Sequence, residues 1–328
     1  MPVRVATVRA ADVPASQTDF TFYVDLGRVG ATALTLAEAN SSRWYTDTDL
    51  VTEMAREIVS LTEGHGKYGT LTSTSKVAID YDGIRADYAV GATFGRNNVW
   101  TAYSLVFHGD TTLESTGNNS ITHTNVSNVT GKIGQAFEAT GATTSYSTIT
   151  TSLGSVFDGN FTVQQWVNVD VRDEANGNVW MWAGTRNMQF IDIDLGKIYL
   201  NSFNAGSSIT ISTGTVALST WTMVHMQRTS GTTGKISLQG ADSTSATATV
   251  RNPAGTLTQA FRLFSRQDNL GGNADGRLDE VRISSTVFST NWITTEYNNQ
   301  NDEATFWGTW TTFGGGAVPR YLTMMGVG

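Results

Sequence analysis

The sequence predicts an all-β protein built of a small N-terminal β-sandwich-like domain and a second antiparallel sandwich, and three observations carry this. The 328 residues are 39% hydrophobic but only 15% charged, with Gly, Ser, Thr and Asn prominent in the remainder, a balance that favours strands and turns over helices. Apolar and polar residues alternate at period two in many short runs. Gly, Asn and Ser separate those runs at sandwich-like intervals, with no room for the crossover helices of a parallel sheet. The length is sufficient for two domains with a core each.

In DFTFYVDL, Phe20, Phe22 and Val24 fall on one face and Thr21, Tyr23 and Asp25 on the other, which predicts a half-buried strand. TDLVTEMAREIVSL is ambiguous: Leu50, Met54 and Ile58 keep helical spacing, but REIVSL suits a strand, which is the expectation for its second half. SKVAIDYDG sets Val77 and Ile79 on one face and ends in a turn. Polar, turn-rich LESTGNNSITHTNVSNVTGKIGQ marks a junction, so the first domain is expected to span 1–105. Over 106–300 follow QAFEAT, SYSTI, NFTVQQWVNVDV, NVWMWAG, MQFIDIDLGKIYL, SITIST, WTMVHMQRT, KISLQG, ATATV, FRLFSRQ and RLDEVRIS, each read as a strand. In STNWITTEYNN, Ser289 is placed to cap one helix on which Trp292 and Ile293 meet Glu296 and Tyr297 a turn later. Residues 301–328 read as a separate aromatic and Gly-rich tail.

GKIGQAFEATGATTSYSTI, NFTVQQWVNV, WTMVHMQRTSGTTGKISLQG and GRLDEVRISSTVFSTNWITTEYNNQ together resemble the laminin-G-like jelly roll of the concanavalin A-like lectin and glucanase superfamily. TDFTFYVDL, MAREIVS and ADYAVGATFGRNNVWTAYSLVFHGD resemble a domain of unknown function that often precedes such a jelly roll in bacteriophage structural proteins and bacterial surface proteins. The resemblance implies a two-layer sandwich used for glycan binding or protein packing, without implying catalysis. Asp279 matches an acidic position that supports a calcium ion in several relatives, and Glu138 could approach it from the first jelly-roll strand. Oxygen ligands suit that ion, and the competing reading is that Asp279 only accepts hydrogen bonds from backbone amides at the seam. Glu138 stands where an Asp-Gly turn is usual, and Gln239 where the strand usually ends apolar, so the ligand position departs from the pattern.

The formal charge of −8 and the absence of a Lys/Arg cluster exclude a phosphate backbone as partner. There is no Cys, which removes disulfides, thiolate nucleophiles and zinc-thiolate sites. The N-terminal segment carries no apolar run of signal-peptide length and no stretch approaches the roughly 18 apolar residues of a membrane helix. The reading is therefore synthesis and assembly in a host cytoplasm without membrane insertion.

A retaining glycosidase would need two carboxylates about 5–5.5 Å apart. Asp192 and Asp194 share a strand face, but a solvent-facing strand gives the same pattern. His65, His108, His123 and His225 show no ligand spacing, and His108 is expected to serve structure at the domain junction. No nucleophile elbow or phosphate loop is present. For a sugar, Trp180 and Trp182 could form an aromatic platform with Arg186 and Asn187 beside it; aromatic residues of a sandwich are more often core. In the tail, Phe306, Trp307, Trp310 and Phe313 either dock onto a partner subunit or pack back on the chain's own sandwich.

These observations together predict a non-enzymatic bacteriophage virion protein, a head decoration or a tail-fibre or tail-tip component, with a glycan- or host-facing jelly roll. Its expected partners are other virion proteins, a cell-surface glycan and further copies of itself; no cofactor is required, with a structural calcium as the one candidate ion. The alternatives are a freestanding carbohydrate-binding module or bacterial adhesin, and after those a glycoside hydrolase.

Overall fold

A computed structural model describes residues 3–109, 114–150, 153–173, 177–183, 188–193, 195–203, 207–230, 232–245, 250, 261–266 and 272–313. The strands expected from period-two alternation form, and every pairing between them is antiparallel. Residues after about 120 make two facing sheets. One is ordered Ser127–Thr130, Gln135–Thr140, Asp275–Ser284, Phe161–Val171, Thr222–Ser230, Thr233–Leu238, Ala241–Asp242. The other runs Ser207–Thr215, Lys197–Phe203, Met188–Ile193, Asn178–Ala183, Phe261–Leu263, Tyr146–Thr150, Ser120–Thr124. Their inner faces share one apolar core that includes Phe137, Phe161, Val163, Phe190, Leu200, Met226 and Leu278.

The strand Phe161–Val171 shows what is unusual in this sandwich. Phe161, Val163, Val167 and Val169 enter the core, as alternation predicts. Four of its polar residues are buried too: Thr162, Gln164, Gln165 and Asn168 are all under 9% exposed, and Trp166 is fully buried. The outer face of this sheet is not solvated. It is covered by the N-terminal part and by the helix Thr290–Asn301, which starts where Ser289 accepts a hydrogen bond from the Trp292 amide.

That helix is the bolt between the two parts. On the sandwich side, Trp166 Nε1 donates to Gln300 Oε1 at 2.7 Å and Thr294 Oγ1 to the Gly240 carbonyl at 2.7 Å. On the N-terminal side, Trp292 meets Phe20 with ring centroids 5.2 Å apart and stacks on Phe288 at 3.9 Å. Asn299 both accepts from the Tyr23 amide and donates to the Tyr23 carbonyl, at 2.6 and 3.0 Å.

The N-terminal part contains a five-stranded sheet, Thr311–Thr312, Val3–Thr7, Lys76–Asp80, Arg43–Tyr45, Glu53–Met54, and a three-stranded one, Gln17–Val24, Gly64–Leu71, Arg56–Ile58. Phe20, Phe22 and Val24 are buried as expected, and so are Thr21 and Tyr23 on the opposite face. The stretch ambiguous between helix and strand is extended at Arg56–Ile58. Leu105–Phe107, at the expected boundary, pairs with Val281–Ile283 of the sandwich.

Residues 303–313 do not stand apart as a tail. The short helix Glu303–Trp307 sends Phe306 and Trp307 into the N-terminal core, with Trp310 beside them, and Thr311–Thr312 pairs with Arg4 and Val5. Here the second of the two readings of the tail holds. Those three aromatic rings are under 9% exposed and unavailable to a partner, whereas Phe313 keeps 39% exposure. The apolar YLTMMGVG ending lies outside the described residues.

Glu303 is buried at the base of this helix against Arg28. Burial outweighs the attraction of Arg28 and lifts its carboxyl to about 7 from an ordinary 4.5. Because the folded value is the higher one, the folded chain holds the proton more tightly, and this contribution is complete below about pH 4.5. It fades as pH rises to about 7, by roughly 3 kcal/mol. Denaturant melts across that window should show a Glu303→Gln variant losing less stability with rising pH than the parent; parallel profiles would refute it.

Candidate functional site

The sites expected from the sequence meet different fates. Trp180 and Trp182 are 1% and 3% exposed. Trp180 packs edge-on to Phe264 within the core, and Trp182 lies beneath the Arg266 guanidinium, 4.9 Å from its ring centroid. They belong to the interior and offer no sugar platform; a bulge between Val179 and Met181 breaks the simple alternation that placed them on one face. Arg186 and Asn187 lie outside the described residues, as do Asp194 and the side chain of Asp192.

Glu138 accepts from Arg277 Nε at 2.8 Å, and Arg277 also reaches Asp170 at 3.2 Å. Asp279 is fully buried and accepts from the Ile133 amide at 2.8 Å, as the backbone-amide reading expected. Neither belongs to a set of three or more His and carboxylate donors close enough to share an ion. Among the described residues that set is Glu63, His65, His108 and Glu280, whose donor atoms all lie within 4.8 Å of one another.

A bulge in the strand Asp275–Ser284 builds this set. Asp279 faces Trp166, yet Arg282 faces Gln164, so the final strand carries one extra residue between them. Glu280 takes the left-handed conformation there, with φ of 51°, uncommon for a residue other than glycine. Leu278 and Val281 therefore both enter the sandwich core, while Asp279 and Glu280 both lie outside it and within the junction. Strict alternation would have put Glu280 on the side of Leu278.

The partners come from the N-terminal part. Glu63 and His65 flank and begin the strand Gly64–Leu71, and His108 follows Leu105–Phe107. His108 Nδ1 lies 2.6 Å from Glu280 Oε1 and 3.3 Å from Glu63 Oε1; His65 Nε2 lies 3.0 Å from Glu63 Oε1 and 3.8 Å from Glu280 Oε1. The two imidazoles stack with centroids 4.5 Å apart. Around them stands a second ring of contacts. His108 Nε2 is 3.2 Å from Glu57 Oε2, and Glu57 accepts from Trp100 Nε1 at 2.5 Å and Ser115 Oγ at 2.7 Å. Arg282 donates to Glu280 and, at 2.8 Å, to Glu296 of the bolt helix, whose other oxygen meets His225 at 2.9 Å.

Burial dominates the electrostatics. It pushes the Glu63 carboxyl well above the carboxylate range, only partly opposed by His108, and pushes His65 well below the histidine range. Burial also disfavours ionisation of Glu280, but Arg282 and His108 prevail and hold it well below the usual value. His108 goes the other way: against burial, Glu280 and Glu57 raise it. A recess of about 190 Å³, lined by Arg56, Glu57, Asp87, Tyr88, Arg96 and His108 among others, reaches the cluster from one side. A second, lined by Thr62, Glu63 and Gly134 among others, reaches it from another.

Residues 141–294 match the family model described as the concanavalin A-like lectin/glucanases superfamily. No curated protein matches the chain. Among solved structures it is similar to domain 4 of AbnA, a GH43 extracellular arabinanase from Geobacillus stearothermophilus, in complex with arabinotriose (19% identity, 58% of this chain and 96% of that one, TM-score 0.47). It is similar also to the binding domain of Paraclostridial Mosquitocidal Protein 1 (13%, 63% and 55%, 0.47) and to the receptor binding domain of the botulinum neurotoxin C/D mosaic serotype (12%, 62% and 52%, 0.50). The chain spans about half the length of those two toxin domains. At such identities the likeness is one of fold. With the two antiparallel sheets and their shared core, the match over residues 141–294 makes the second part of this protein a jelly roll of the concanavalin A-like kind.

Proposed function

We propose that the chain is a non-catalytic structural protein of a bacteriophage particle, a head decoration or a tail component, in which the jelly roll docks onto neighbouring proteins of the particle. The bacteriophage reading rests on the resemblance of the first hundred residues to a domain common in such proteins. The observation that carries the docking reading is an apolar rim at one end of the sandwich. Val171, Leu195 and Leu218 are 58%, 74% and 46% exposed. Three loops bring them side by side: Ser219 N donates to the Val169 carbonyl and Val216 N to the Gly196 carbonyl, both at 2.7 Å, and Arg172 reaches the Val216 carbonyl. Leu195 is held at φ of 61°, a conformation a leucine adopts only where its surroundings impose it. Clustered, exposed aliphatic side chains suit a protein surface better than a sugar.

A second reading, a glycan-binding module, is favoured by the superfamily match over residues 141–294. Immunogold labelling of host cells and of the particles they release separates the two. Label on the particles, lost or strongly reduced in a Leu195→Asp, Leu218→Asp double variant that still folds, is expected; label confined to the cell envelope would overturn the virion reading in favour of an adhesin.

A further inference from the structure

From the junction geometry we infer that Glu63, His65, His108 and Glu280 together bind one divalent first-row transition-metal ion, zinc being the probe of choice. The inference is independent of any role in a particle. The neighbouring donor separations of 2.6, 3.0, 3.3 and 3.8 Å bracket the edge of a tetrahedron with metal bonds of about 2.0–2.1 Å, which is about 3.3 Å. Small adjustments of side chains already in place would centre an ion.

The imidazole protons alone serve this arrangement poorly. Each of the two imidazole nitrogens can carry a single hydrogen, yet each faces two carboxylate oxygens. One cation at the centre satisfies all four atoms. Glu63 is wholly buried: its Oε1 lies at the centre, and its Oε2 has no hydrogen-bond partner among the described residues. Ionised, a carboxyl so buried costs several kcal/mol unless something positive meets it, and without a cation it keeps its proton instead.

The surroundings are those of a ligand shell. The Nε2 atom of His108 faces Glu57, which Trp100 and Ser115 hold in place, so Nδ1 is the atom turned to the centre. A carboxylate behind a histidine fixes tautomer and ring orientation at metal sites. The free oxygen of Glu280 is taken by Arg282. Gly134, at φ of 54°, leaves room for Glu63: a Cβ there would come within 2.2 Å of its Oε2. Two imidazoles and two carboxylates form a mixed nitrogen and oxygen set, suited to zinc and its neighbours and unlike the six to eight oxygens about calcium. Four protein ligands in a buried site leave no open position, so the ion would be structural, joining the strand Gly64–Leu71 to the strand Asp275–Ser284. The two recesses give it a way in.

The test uses the full chain, unfolded in guanidinium and refolded with Zn2+ or with a chelator, so that a closed site still has the chance to load. After exhaustive dialysis, elemental analysis should find about one Zn2+ per chain, and the zinc-refolded protein should melt at higher temperature than the chelator-refolded one. Co2+ in place of Zn2+ should give the visible absorption of a four-coordinate ion with nitrogen and oxygen ligands. Glu57→Gln, which leaves all four ligands in place, should weaken binding about 10- to 100-fold, and Glu63→Gln should weaken it further. If the refolded parent retains no zinc, melts identically with and without it, and gives no such cobalt spectrum, the inference fails. It fails equally if Glu63→Gln and His65→Gln, folded by circular dichroism, bind zinc as tightly as the parent.

Discussion

Replacing Arg282 with Met is expected to lower the unfolding free energy by about 3–5 kcal/mol, the largest single effect foreseen outside the apolar cores. Arg282 is 1% exposed, donates to both Glu280 and Glu296, and lies over the Trp100 ring at 4.8 Å from its centroid. Its removal strands two buried carboxylates, and Met restores the volume without the charge. The loss should appear in urea melts as a lower midpoint at constant slope. An Arg282→Met, Glu296→Gln double variant should lose less than the two single losses added together, because the residues act as one network. A loss below about 1 kcal/mol would put this pair among ordinary surface ion pairs, and the junction would then not be what holds the two parts together.

Replacing Trp307 with Ala is expected to cost about 3–5 kcal/mol in the isolated protein. The indole is fully buried, meets Phe22 edge-on at 5.2 Å and Phe306 at 5.1 Å, and donates from Nε1 to the Tyr23 carbonyl at 2.9 Å. Its loss would open a cavity between the strand Gln17–Val24 and the C-terminal segment, and leave that carbonyl without its indole donor. A ring that served only to dock onto a partner would behave differently: removing it would change the isolated chain by no more than about 0.5 kcal/mol. Thermal or urea melts of the purified chain distinguish these outcomes without any partner being known.

The strands were legible because one face of each is apolar at period two, as in Phe20, Phe22 and Val24 or in Phe161 and Val163. The helix was legible from the Ser289 cap. What alternation could not reveal was that the polar faces are buried as well. Thr162, Gln164, His225, Gln227 and Arg282 stand at polar positions of alternating strands, yet all are buried beneath a helix and a second part of the chain. Only long-range packing decides that.

The site was hidden for related reasons. Glu63, His65, His108 and Glu280 are brought together from positions up to 217 residues apart in sequence (280 minus 63), so no local spacing announces them. Asp279 is the neighbour of Glu280 in sequence, but a bulge with a left-handed Glu280 reverses the facing that alternation gives the acidic pair. His108 lies between Glu57 and Glu280, and its stacking on His65 has no counterpart in the sequence pattern. The tryptophans of NVWMWAG and the aromatic residues of the C-terminal segment could be core or surface on sequence grounds, and burial makes Trp180, Trp182, Phe306, Trp307 and Trp310 interior.

The junction should make the N-terminal part and the jelly roll a single cooperative unit, and differential scanning calorimetry of the whole chain tests this most directly. One transition, with calorimetric and van't Hoff enthalpies equal, is the expected result. Two separate transitions, or one whose calorimetric enthalpy is about twice the van't Hoff value, would contradict it.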